Sequence, residues 1–520
     1  MARRALASLL LAAGLLAGAT VARAGLAPRY GGALSVALPA APLELDPARA
    51  ATSTDLQVAR ALHATLVDLE PNGALRPALL ESLPEAEPGG RAWRLRLRPG
   101  LRFHDGRPVT AADVAASLTR LVAVATRSPH GWIAMPLQGV EEVRDGRAAS
   151  LAGVQVISDL ELRLLLHAPF PELPRSLAAA PAAILPKGGP ATTGAGPFQL
   201  GTRGRDGILR LLAFDGFWRG RAYADALGLG GMDARRAARA TARDELDLSL
   251  RPEALGAASR ELPPLTATYA VVNLRRLGRA GIDIRRALAS LDRAELVRLS
   301  GRARAVPLPG LLPPALLAAE PGAARSAPAP GSGAGGGAPG PAADASPAPP
   351  PIAAPAGPGA TGRAAPARLA GSPALSIVLV GGAESARAVA DRLQVKLFDR
   401  GVRASVDPVA PEVLASRLAS GNFDLALANV TFAASGPQGG VLEVAWALGG
   451  PAGARQALAR LAASADAAEA AAEVADDLGA VPLHVSGLTA SARPALEGLA
   501  VRPDGTIDPG DLWLAPLAAR

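Results

Sequence analysis

The 520-residue sequence contains no cysteine. That excludes disulfide staples, thiol chemistry of any kind and the lipid-bearing cysteine of an exported lipoprotein. Aromatic residues make up only 3% of the chain, and lysine occurs twice, at Lys187 and Lys396, so nearly all of the 54 basic residues are arginine. The arginines are scattered, and no basic run is interleaved with aromatics as a stacking groove for nucleic acid requires. The net charge of +8 and pI near 10.7 therefore read as compositional bias, and nucleic acid is not an expected partner. The five histidines, His63, His104, His130, His167 and His484, stand singly without metal-ligand spacing, so neither a metal nor another cofactor is expected. No nucleophile-elbow or zinc-helix motif appears, which leaves an enzyme as the least supported reading. Beyond the N-terminus no apolar run is long enough to span a bilayer, so no stable membrane insertion is expected.

What is present begins with an address. Arg3 and Arg4 precede the apolar run ALASLLLAAGLLAGATVA, and Ala22-Arg23-Ala24 supplies small residues at −3 and −1. This reads as a secretory signal peptide over 1–24, with an exported, periplasmic protein starting at Gly25. About half of the residues are apolar, mostly Ala, which fits a globular α/β protein. Residues 321–373 are Pro, Ala, Gly or Ser almost throughout and read as a disordered insertion. Within it, Gly331, Gly333 and Gly336 match G-x-G-x-x-G, but no strand precedes them, so the match is composition and not a phosphate cradle.

Before that tract, β character is expected at 31–38, 92–103, 154–166, 194–200, 207–214 and 267–274, with hairpin-like units at 92–103 and 154–166. Helices are expected near 54–66 and over 283–299, the latter capped by Asp283. After it, 374–382, 385–401, 402–409, 411–421 and 423–430 alternate β-α-β-α-β, which predicts a sheet with parallel pairing, and 480–488 is another strand-like run.

The stretch LRLRPGLRFHDGRPVTAADVAASL (95–118) raises the question of chemistry, because His104 and Asp105 stand side by side. Trp93, Leu95 and Leu97 alternate with arginines as on a half-buried strand, Pro99-Gly100 breaks it, and Thr110 with Asp113 has capping-box spacing before an apolar helix. Every residue has a structural task, so His104 reads as punctuation between strand and helix.

The same stretch resembles the signature of extracellular solute-binding proteins of the peptide/nickel type (family 5), receptor components of ABC importers. Further motifs are similar in order: Leu45-Asp46-Pro47, the hairpin at 154–166, Gly194, Gly196 and Pro197, Asn273 after the strand TYAVV, and the helix with Arg285, Ala287, Leu288 and Asp292. The resemblance implies an α/β two-lobe periplasmic-binding-protein-like fold whose lobes close over a ligand about a hinge of crossing strands. It implies a first lobe of 25–266 plus 479–520, with a subdomain over about 61–185, and a second lobe of 267–478. The hinge would be TATYAVVNL and GAVPLHV.

By the same resemblance the cleft residues are Thr52, Ser53 and Trp132 from the first lobe and Asn429, Thr431 and Phe432 from the second. The partners are a small organic solute, peptide-like or a metal complex, and ABC permease subunits, with a monomeric receptor. Two positions depart from the family pattern: Val430 stands where a tryptophan is usual, and Ala433 where an aspartate receives a peptide's ammonium. No arginine occurs in LAAAPAAILP, where nickel-type relatives clamp carboxylates. These departures give the alternative reading, a binding-incompetent relative kept as an interaction or structural protein.

Overall fold

The computed structural model describes residues 27–256, 258–301, 304–318, 374–382, 384–464 and 466–516; the signal segment and the 321–373 tract, with its glycine match, lie outside them. Two sheets organise the chain. The first has seven strands in the order Ser259–Glu261, Thr489–Ala492, Leu248–Arg251, Ala33–Leu38, Ala226–Gly231, Leu209–Ala213 and Phe198–Arg203. The second has six, ordered Val306–Pro307, Ala480–Ser486, Thr266–Val272, Leu425–Thr431, Leu375–Val380 and Ala404–Val409. Each sheet has its own buried cluster, around Leu34, Val36 and Leu38 in the first and Ile377, Leu379 and Leu425 in the second, and the fold is accordingly two-lobed.

The first lobe carries a subdomain, a four-stranded antiparallel sheet ordered Glu85–Ala86, Ala92–Arg96, Glu161–Leu165 and Val154–Val156, next to the helix Ala111–Val122. Trp93 and Leu95 point inward while Arg94 and Arg96 are exposed, the alternation that a half-buried strand requires. The expected hairpin over 92–103 is not one. Ala92–Arg96 pairs instead with Glu161–Leu165 and Glu85–Ala86, because Pro99 and Gly100 (φ 79°) turn the chain away before it can pair with itself. The hairpin at 154–166 does form, Val154–Val156 against Glu161–Leu165.

In the second lobe Leu375–Val380 runs parallel to both Ala404–Val409 and Leu425–Thr431, with helices Glu384–Phe398 and Pro411–Ser420 as the crossovers. Asp283 caps nothing. The helix runs Leu274–Ala289 and starts at Asn273, whose side chain accepts from Arg276 N, while Asp283 sits inside it. Gly278, non-helical at φ 54°, breaks the helix, which hid its first half from a periodicity argument. Pro437–Ala463, helical on either side of a break at Gly450 (φ 61°), had no expectation at all, because five glycines and Pro451 interrupt its apolar pattern.

Among the described residues the chain passes between the two sheets at 262–265 and again at 487–488. The two links lie side by side, with Leu262 N donating to Leu488 O at 2.9 Å. The strands that adjoin them, Thr266–Val272 and Ala480–Ser486, pair antiparallel with Ala267 opposite Val485.

Candidate functional site between the lobes

The lobes meet in two zones. The first lies beside the links. Ser53, Leu56 and Gln57 from the helix Ser53–Leu62, Thr431 and Phe432 at the end of the strand Leu425–Thr431, and Ser486, Gly505 and Thr506 line a crevice of about 30 Å³. That is space for a water or two. Thr52, next to Ser53, is not in its lining: its hydroxyl accepts from Asp55 N at 3.2 Å and its N–H donates to Asp55 Oδ2 at 3.0 Å, a capping box. Asn429 is outside it too, accepting from the Thr268 hydroxyl at 2.7 Å on the sheet face. Thr268 in turn lies 3.4 Å from His484 Nε2.

The second zone packs the first turns of the helix Pro437–Ala463 against residues 128–134 and 172–175. Trp132 is fully buried there, against the bare backbone of Gly439. A Cβ on Gly131 would come within 2.0 Å of the Trp446 ring, so glycine at 131 is what allows the two surfaces to touch. The Trp446 indole N–H points at Ser128 O, 3.4 Å away. Glu172 reaches across to accept from Gly439 N at 2.9 Å, at the positive end of the helix. Burial pushes the Glu172 carboxyl upward, partly offset by the N–H groups of Gly439 and Gln438 and by Arg175. At the rim Arg455 and Glu141 pair at 2.6 Å.

Glu443 is 2% exposed, and its carboxylate accepts from Ala433 N and Ala434 N at 3.0 to 3.1 Å. Opposite it, from the other lobe, is His130. The Ala50 carbonyl, 2.5 Å from His130 Nε2, can only accept, so Nε2 carries the proton and Nδ1 faces Glu443 Oε1 at 3.6 Å. His130 Nδ1 and Trp132 Nε1 are buried without a hydrogen-bond partner. The cleft is thus closed, with two ring nitrogens buried in it that a bound molecule's polar groups could meet.

Of the residues expected in the cleft, Ser53, Thr431 and Phe432 share the crevice, Trp132 stands in the second zone, and Thr52 and Asn429 are in hydrogen bonds of the scaffold. Sequence reasoning missed Gly131, Glu172, Arg175, Glu443 and Trp446. Glu443 had a signal: it is the one charge in the apolar run GGVLEVAWALGG. Arg175 had a weaker one, standing just before LAAAPAAILP; its guanidinium is 3.5 Å from Ser435 O.

His104 Nε2 lies 3.2 Å from Gly196 O, and its Nδ1 accepts from Gly194 N at 3.2 Å. It pins the 194–196 turn to the strand–helix junction. His63 is buried, with Nε2 3.0 Å from Leu45 O, and burial lowers its pKa to about 4.

A two-sheet body joined by paired links and closing on a polar cleft is the architecture of a binding protein. The model of the bacterial extracellular solute-binding proteins, family 5, matches residues 74–443. The chain belongs to that family. Among curated proteins, it is 32% identical over 133 residues to the periplasmic murein peptide-binding protein MppA of Escherichia coli, covering 25% of this chain and 24% of that one. The aligned stretch therefore spans about a quarter of that relative's length. The solved structure of the Escherichia coli murein tripeptide binding protein MppA is similar over 94% of this chain and 99% of that one, with a TM-score of 0.69 at 17% identity. Haemophilus influenzae OppA in complex with RPPGFSPFR is similar over 94% and 100%, with a TM-score of 0.69 at 18% identity. Both share this fold. Among the described residues no helix is long and apolar enough to cross a membrane.

Proposed function

We propose that the chain is a monomeric periplasmic receptor that captures a small, peptide-like solute between its lobes and delivers it to the permease of an ABC importer. The bending points are the links 262–265 and 487–488, and the walls are the two contact zones. One observation carries the reading: two separately built sheets, joined by the paired links 262–265 and 487–488, meet across a seam where the Glu172 and Glu443 carboxylates rest on peptide N–H groups. His130 Nδ1 and Trp132 Nε1 are among the buried atoms without a hydrogen-bond partner there.

The solute class follows from Glu443. Ala433 lacks the carboxylate expected there, but the Glu443 carboxylate sits on the N–H of Ala433. The buried Glu443 carboxyl group, with His130 Nδ1 3.6 Å away, suits a solute bearing an amine, and Trp132 and Trp446 supply apolar walls. We assign the chain a binding role without catalysis, as its family model and the similar solved structures are of binding proteins.

Native mass spectrometry of the mature protein tests this, followed by small-angle scattering and thermal shift with a library of di- to tetrapeptides and peptide–metal complexes. A bound solute, or a ligand-dependent shift that Glu443→Gln weakens at least tenfold, is expected. The non-binding alternative has one observation behind it, the water-sized crevice. The relatives, named for what they bind, do not favour it. No shift with any member of the library would make it the better reading.

A further inference from the structure

A hollow far larger than the crevice lies outside the cleft. It is a groove of about 540 Å³ on the face of the seven-stranded sheet turned away from the helix Ser53–Leu62. Its floor is Ser35, Gly228 and Gly230, its flanks are Ile208 and Met232, and its wall is the helix Ala234–Ala242 with Arg236 and Arg239, continued by Arg243 at its C-cap and Glu245.

Three features of that wall are costly for an isolated molecule. The arginines stand three and four residues apart on one helical face, where like charges repel. Arg236 lies in the first turn, which contains no acidic residue, and a cation there opposes the helix dipole. Neither Arg236 nor Arg239 makes an ion pair or hydrogen bond through its guanidinium among the described residues. The nearby acids are Asp233, which caps the helix at Arg236 N (2.8 Å), and Glu245, 3.9 Å from Arg243. The helix is also held lightly, through Ala237 and Ala240 against Ala37 and Leu246.

We propose that this groove docks an acidic, extended segment of a partner protein, its carboxylates on the three arginines and its apolar side chains on Ile208 and Met232. Charge complementarity selects the occupant. The glycine floor leaves room for a peptide backbone, and the volume suits a short segment better than a single small ion. The groove belongs to the first lobe alone, so docking there is indifferent to whether the cleft is open or shut.

A fluorescent hexapeptide alternating Glu and Val is the probe, read by anisotropy against the full-length mature protein at low and high salt. The wild type is expected to bind it, and more weakly as salt rises. Arg236→Glu/Arg239→Glu/Arg243→Glu, all at exposed positions, is expected to weaken binding at least tenfold. Gly228→Val changes no charge and, with Cβ contacts no closer than 3.5 Å, fits the strand while filling the floor; it is expected to reduce binding about as much. Arg275→Glu/Arg279→Glu/Arg286→Glu, on the second lobe, is the control. Equal loss in that control, or wild-type-like binding by Gly228→Val, overturns the proposal in favour of net charge alone. Absence of wild-type binding at low salt overturns it outright.

Discussion

Two buried polar clusters knit distant parts of this chain together, and they are built on opposite plans. Inside the first lobe, Arg60 from the helix Ser53–Leu62 meets Asp504 at 2.8 Å, Arg502 meets Asp508 at 2.9 Å and Asp68 at 3.3 Å, and Arg76 meets Asp68 at 2.6 Å. Arg60 also donates to Ala178 O, Arg502 to Leu69 O, and Asp504 accepts from Thr506, while Arg60 Nε and Arg76 Nε are buried without a hydrogen-bond partner. Burial alone would raise the Asp504 carboxyl, but Arg60 and Arg502 outweigh it and hold it below the usual carboxylate range. Between the lobes, Glu443 has peptide N–H groups and a histidine nitrogen at 3.6 Å, and Glu172 has the end of a helix. On the proposed function, the difference separates a joint that stays shut from one that opens. Opposed full charges in a dry site are costly to part, whereas a carboxylate resting on peptide N–H groups trades them for water at little net cost.

The largest effect is expected where the permanent joint is broken. Arg502→Met leaves Asp68 and Asp508 buried with less counter-charge and should cost about 3–5 kcal/mol of stability, read as a fall in the urea midpoint. Glu443→Gln, equally buried, should cost far less. Equal losses from the two variants would erase the distinction between the clusters.

A middle-sized effect is expected at the separable joint. Gly131→Val drives a side chain into the Trp446 ring, and overpacking of this kind costs about 1–3 kcal/mol. Because the clash exists only when the lobes touch, the variant should relieve it by opening. Small-angle scattering should then record a larger radius of gyration for the unliganded protein, with the first lobe's unfolding unchanged. Adding Trp446→Ala removes the obstacle and should restore compactness. Expansion that persists in the double variant would mean that Gly131 serves the subdomain and not the closure.

The two clusters also mark how far the sequence could be read. Local rules placed the strand Ala92–Arg96, the cap at Thr110 and Asp113, and the alternation after the 321–373 tract, because each depends on neighbours a few residues away. They failed where glycine interrupts a helix. Gly278 shifted the expected start of Leu274–Ala289 to Asp283, and the glycines of Pro437–Ala463 concealed the helix that carries Glu443 and Trp446. The cleft was legible only in part. Ser53, Thr431 and Phe432 follow from family likeness, but Thr52 was already committed to capping its own helix. Glu172 and Gly131 act through partners about 270 and 320 residues away, which no local pattern encodes.

The smallest expected effect is the most particular. Glu172 is buried when the lobes are together, and that burial raises its carboxyl above the ordinary value. In a parted cleft the same side chain returns to water and to its ordinary value. A group whose pKa is higher in the closed state takes up a proton on closing. Its contribution to closure is fully present below the open-state value and is lost as pH rises through the raised closed-state value. Closure of the unliganded protein should therefore strengthen modestly on acidification from neutrality, measured by a donor–acceptor dye pair with one dye on each lobe. Glu172→Gln keeps an oxygen to accept from Gly439 N but cannot titrate, so its curve should be flatter. The difference between the two curves isolates Glu172 from every other titrating group in the cleft. Identical slopes would show that the carboxyl keeps its water when the lobes meet, and would remove Glu172 from the separable joint.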